Sequence, residues 1–136
     1  MDIKQLQRKR IRVYGGEYRG KCPPESAEQK TVINAIRKVC TNVIHPRNEG
    51  KRNSNQIKLE KSEGLTTGAS DIIIPGHPAF VCELKRRDPT RSEITDKQVG
   101  FLLESKRLGA WVCIAFGHEA ALEAFNAWYK RYHCKT

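Results

Sequence analysis

Three residues of this chain can do chemistry together. Asp71 opens the β-branched run Ile72-Ile73-Ile74, and Glu83 and Lys85 lie in a second run, Phe80-Val81-Cys82-Glu83-Leu84-Lys85. Pro75-Gly76 stands between them as a turn signal, so Ser70–Ile74 and Ala79–Leu84 read as two strands of a hairpin. A hairpin returns Glu83 and Lys85 to the end of the sheet where Asp71 sits. Glu83 and Lys85 are two apart and therefore share a face. Two carboxylates and one ammonium at a sheet edge suit a metal-dependent phosphodiesterase. The carboxylates bind Mg²⁺ or Mn²⁺, hard cations that prefer oxygen ligands. The ion polarises the phosphate and lowers the pKa of a bound water. Lys85 orients that water and offsets charge on phosphorus, while Leu84, turned to the core, can offer its carbonyl. The competing reading is a surface salt bridge, which is common and contributes little. Against it stands the placement of Glu83 between Val81 and Leu84, on a strand that otherwise reads as buried. A buried charge without a partner costs several kcal/mol, comparable to the stability margin of a small domain.

The surrounding elements must position these residues. A first helix starts near Ser26, where Ser26 and Gln29 have capping-box spacing, and continues through Val32, Ile33, Ile36 and Val39. Thr41–His45 reads as a short strand ended by Pro46, and a helix is expected over Asn53–Glu63. Gly64 and Gly68 bracket a turn before Asp71, and Arg86–Glu93 is a polar loop. Thr95 and Gln98 make a second capping box, ahead of the stripe Val99, Leu102, Leu103 and Leu108, which Gly109 closes. Trp111–Phe116 is a continuous apolar run, expected as a central strand. A last helix over His118–Tyr132 buries Leu122, Phe125, Trp128, Tyr129 and Tyr132. This order of helices and strands predicts an α/β layer structure.

The 136 residues fit one domain. With 25 Lys and Arg against 15 Asp and Glu, the net charge is +10, which points to a polyanion without choosing between nucleic acid and an anionic membrane. Residues 1–21 hold seven of the basic residues against two acidic ones, and Pro23-Pro24 follows. We therefore expect a basic N-terminal extension over 1–24, part of it ordered against the domain or against DNA, and a single domain over 25–136. No apolar run approaches the ~20 residues needed to span a bilayer, and the N-terminal stretch lacks a secretory pattern, so a cytoplasmic setting and no membrane partner are expected. The five cysteines show no metal-ligand spacing; Cys82 and Cys113, inside apolar runs, read as buried thiols.

The spacing Asp71-x11-Glu83-x-Lys85 resembles the PD-(D/E)xK nuclease motif, and the chain as a whole resembles its VRR-NUC family, of the stand-alone phage and viral type. Further residues fall in the family's order: Glu28 on the first helix, the stretch His45 to Arg52, Gly64 and Gly68 before the aspartate, Gln98 after the motif, and Gly109 before the last strand. The likeness runs over about residues 26–130. Ser70 stands where the family usually has proline. The resemblance implies a restriction-endonuclease-like core, a mixed central sheet flanked by helices. It implies that Asp71, Glu83 and the Leu84 carbonyl hold the metal, that Glu28 is the first-helix acid bound to it directly or through water, that Lys85 positions the attacking water, and that Gln98 touches Lys85 or the scissile phosphate. Gln98 also caps its own helix; one side chain is not expected to cap and reach the site at once, so the two roles would exchange. Asn48, Lys51 and Arg52, and Arg86, Arg87 and Arg91 after the motif, are candidates for backbone phosphate contacts, which position DNA without reading its sequence. His45 is the one histidine placed near the expected cleft.

The function expected on this resemblance is a Mg²⁺- or Mn²⁺-dependent DNA endonuclease, structure-selective on flaps or four-way junctions, acting as a homodimer in a bacterial or phage-infected cell. A four-way junction has two-fold symmetry, and paired nicks need two symmetric sites. The alternatives are a non-catalytic nucleic-acid-binding protein, which the charge alone supports, and a sequence-specific restriction or homing-type nuclease.

Overall fold

The computed structural model describes residues 1–46 and 66–134. Among these, α1 spans Ile3–Arg8, β1 Arg12–Tyr14, α2 Glu25–Arg37, β2 Ile72–Ile74 and β3 Phe80–Lys85. A 3₁₀ turn at Pro89–Arg91 follows, then α3 (Asp96–Arg107), β4 (Trp111–Phe116) and α4 (His118–Tyr132). The sheet order is β1-β4-β3-β2. β2 runs antiparallel to β3, whereas β3–β4 and β4–β1 are parallel. The result is the mixed sheet expected, with helices on both faces.

Strand alternation sorts the core. Ile72, Ile74, Phe80, Cys82, Leu84, Trp111, Cys113 and Ala115 face α2 and α4. Val81, Val112, Ile114 and Phe116 face Leu6 of α1 and Val99 and Leu102 of α3. β3 and β4 are buried on both faces along their whole length, which explains the unbroken apolar run of β4. Phe80 stacks on Trp111 at 5.6 Å between ring centroids and meets Phe125 edge-on at 6.1 Å, both favoured aromatic arrangements.

Several expectations are corrected. The division at residue 24 does not follow the packing: β1 is hydrogen-bonded to β4, and Leu6 and Ile11 are buried. Their apolar side chains fill the α3 face of the sheet, so this stretch belongs to the domain. Thr41–His45 contributes one isolated bridge, Ile44 to Ile73, instead of a strand. Ser26 does not cap α2; Pro24 holds the N-cap position with no side-chain bond, and Gln29 turns inward. Val39 and Leu108 lie past their helix ends and are exposed, as is Tyr132 on the last turn of α4. The helix expected over Asn53–Glu63, and Gly64, lie outside the described residues.

Candidate metal centre

The hairpin register explains how the acids meet. Ile72 pairs with Cys82, and continuing that register by one residue sets Asp71 opposite Glu83, on the same face. Asp71 is buried and held on both oxygens. Gln29 Nε2 donates to Oδ1 at 3.0 Å, and the Leu84 amide donates to Oδ2 at 2.9 Å. A strand residue sends its N–H and C=O to the same edge, so the Leu84 carbonyl is turned the same way. His45 Nδ1 donates to the Asp71 carbonyl at 2.6 Å, which fixes the proton on that nitrogen.

Glu83 accepts from Gln98 Nε2 at 3.1 Å and lies 3.7 Å from the Lys85 ammonium. Lys85 is buried too. Its Nζ donates to the Glu93 carbonyl at 2.7 Å and stands 4.0 Å from a Glu25 carboxylate oxygen. Glu25, at the start of α2, completes the group: carboxylate oxygens of Glu25, Asp71 and Glu83 lie within 4.8 Å of one another. Two of these acids are buried. Like charges at such distances repel strongly in a low-dielectric setting, and a divalent cation relieves that repulsion. Three hard oxygen donors fit Mg²⁺ or Mn²⁺.

The group lines a cleft of about 270 Å³, with Gly68, Lys97 and Gln98 on its walls. Gly68 has φ +82°, and a Cβ there would lie 2.7 Å from the Lys97 backbone carbonyl. Only glycine allows the segment leading to Asp71 to run this close to the first turn of α3. Ser70, beside Asp71, is fully buried, and its hydroxyl finds no hydrogen-bond partner among the described residues.

The sequence expectations fare unevenly here. Asp71, Glu83, Lys85 and Gln98 are brought together. Glu28 is not among them. Its carboxylate accepts the His118 backbone N–H and takes the His118 Nδ1 at 2.8 Å. The N-cap of α4 is Gly117, which has no side chain to give, so Glu28 caps that helix from a distance. The first-helix acid of the centre is Glu25 instead. It was missed because a cap at Ser26 leaves Glu25 outside the helix. With α2 starting at Glu25, the i,i+4 spacing puts Glu25 and Gln29 on one face, a signal that sequence alone holds. Exchange at Gln98 is also corrected: its Oε1 accepts the Thr95 N–H at 2.9 Å while its Nε2 reaches Glu83. A carboxamide has an acceptor end and a donor end, and both are used at once.

The arginines after the motif are engaged with the protein. Arg86 donates to the carbonyls of Cys22 and Pro23 at 2.7 and 3.1 Å, tying down the entry to α2. Arg87 lies 4.2 Å over the Tyr18 ring, and Arg91 is 3.4 Å from Asp88. The two bonds of Arg86 use two of the five N–H donors of its guanidinium, and the residue is half-buried. Asn48, Lys51 and Arg52 lie outside the described residues.

No family model matches this chain, and no curated protein sequence does. Among solved structures, a VRR_NUC domain protein superposes with a TM-score of 0.63 at 18% identity, covering 81% of this chain and 91% of that one. At that identity the likeness shows the fold. No helix among the described residues is long and apolar enough to cross a membrane.

Proposed function

We propose, on the premise of a fold shared with a VRR_NUC domain protein, that this chain is a divalent-metal-dependent nuclease hydrolysing phosphodiester bonds in DNA. The observation that carries the reading is the trio Glu25, Asp71 and Glu83 with the Lys85 ammonium among them. These three acids and the Leu84 carbonyl are the groups that would hold Mg²⁺ or Mn²⁺. A bound ion of this kind polarises a phosphate oxygen and acidifies a water. Lys85 places its ammonium between two of the acids, fixed by the Glu93 carbonyl, so that it orients a water and balances charge at phosphorus. Gln98 holds Glu83 in place from the first turn of α3. Lys97, exposed on the wall of the cleft, adds a cation where a phosphate strand would enter. Branched DNA, four-way junctions or flaps, is the substrate we infer, cut by a homodimer in a bacterial or phage-infected cell.

The test is a cleavage panel of single-stranded, duplex, flap and four-way substrates with Mg²⁺, Mn²⁺ and EDTA. Cutting with either ion, absent in EDTA and in Asp71→Ala, is expected. If wild type and Asp71→Ala bind DNA equally and neither cuts any substrate, the protein is a binding module and the enzyme reading falls.

A further inference from the structure

We propose that Gln29 is a positioning residue that sets Asp71 for the metal; this rests on the metal reading of the site. Gln29 lies on α2 among apolar neighbours, Val32, Ile33 and Ile36, and is only 4% exposed. Burying a carboxamide is costly unless its polar atoms are bonded, and an apolar side chain would fill the position more cheaply. The hydrogen bond from Nε2 to Asp71 Oδ1, 3.0 Å long, is what the glutamine supplies there. With the Leu84 amide on Oδ2, it fixes the plane of the carboxylate, whose terminal torsion is otherwise broad. As a neutral donor, Gln29 orients Asp71 without cancelling its charge, as a lysine would. Glu25 sits one turn earlier on the same face, so one helix both delivers an acid to the centre and aligns the acid contributed by the sheet.

The full chain is titrated with Mn²⁺ by calorimetry as wild type, Gln29→Met, Gln29→Asn and Val32→Ala. Gln29→Met keeps the length without the donor. Gln29→Asn keeps the donor one methylene short, and carries the test if the methionine variant does not fold. Both are expected to bind Mn²⁺ about tenfold or more weakly, the usual effect of losing an outer partner of a metal ligand. Val32→Ala loosens the same helix away from the site and is expected to keep wild-type affinity. A folded Gln29 variant within about twofold of wild type overturns the proposal, as does an equal loss in Val32→Ala. If wild type binds no Mn²⁺, the metal reading falls and this inference with it; if wild type binds and the Gln29 variants match it, this inference alone falls.

Discussion

Gln98 ties Glu83 to the first turn of α3: it donates to the carboxylate at 3.1 Å with the same carboxamide that accepts the Thr95 N–H at 2.9 Å. The helix cap and the acidic centre therefore share one side chain, and substitutions can separate them. Gln98→Glu keeps a capping acceptor but cannot donate to Glu83. The new carboxylate beside Glu83 joins three acids that already repel one another. The variant's melting temperature is therefore expected to fall at neutral pH even with the cap kept, with cleavage reduced by about tenfold or more. Gln98→Ala loses both, and costs in addition about 0.5–2 kcal/mol of stability, the range for a lost cap. Thermal melts alongside cleavage assays check the pair, and a Gln98→Glu enzyme with wild-type cleavage would sever the link.

Glu25 and Glu28 are three residues apart and should behave oppositely. Glu25→Gln removes one of three mutually repelling acids, so stability is expected to hold or rise while Mn²⁺ affinity and cleavage fall. Glu28→Ala leaves the His118 amide without its acceptor, which is expected to cost about 1–3 kcal/mol with Mn²⁺ affinity retained. Chemical denaturation and calorimetry distinguish them; the reverse pattern would return Glu28 to the centre.

Asp88 makes the fold acid-sensitive. Hydrogen bonds from the Gly20 amide first, then from Thr90 and Arg91, hold its carboxyl well below the usual carboxylate range. A depressed folded pKa gives stability that is complete above the unfolded value of about 4 and is lost as pH falls through the folded value. Wild type should therefore exceed Asp88→Asn in melting temperature at neutral pH, with the gap closing in acid. A gap that stays constant from neutral pH down to strong acid would remove Asp88 as the cause.

The N-terminal stretch combines packing and charge, and the two are separable. Leu6→Ala empties a fully buried position and is expected to cost about 2–5 kcal/mol. Arg8→Gln with Lys9→Gln changes only exposed positions. That double variant should melt like wild type, and lose about one unit of salt slope in DNA binding for each phosphate contact removed. Binding titrations across salt concentrations read the effect, and an unchanged slope would free both residues of contact with DNA.

Much of the site was legible along the chain because its signals are short-range. The hairpin of Asp71 with Glu83 and Lys85 follows from two apolar runs and a turn; α4 follows from its apolar spacing, β4 from its unbroken run, and the Thr95–Gln98 cap from a three-residue spacing. The sequence by itself thus determined the sheet's acidic edge and the helix beside it. Only tertiary structure decided which first-helix acid joins that edge, where Gln29 and Arg86 spend their donors, and that the basic N-terminal stretch forms a strand of the sheet. Those outcomes depend on contacts between residues far apart in the chain, such as Gln29 with Asp71 and Arg86 with Cys22. Local periodicity tells which face of an element is apolar. It does not tell where along a neighbouring element a polar side chain comes to rest, and a shift of one turn in α2 is the whole difference between Glu25 and Glu28.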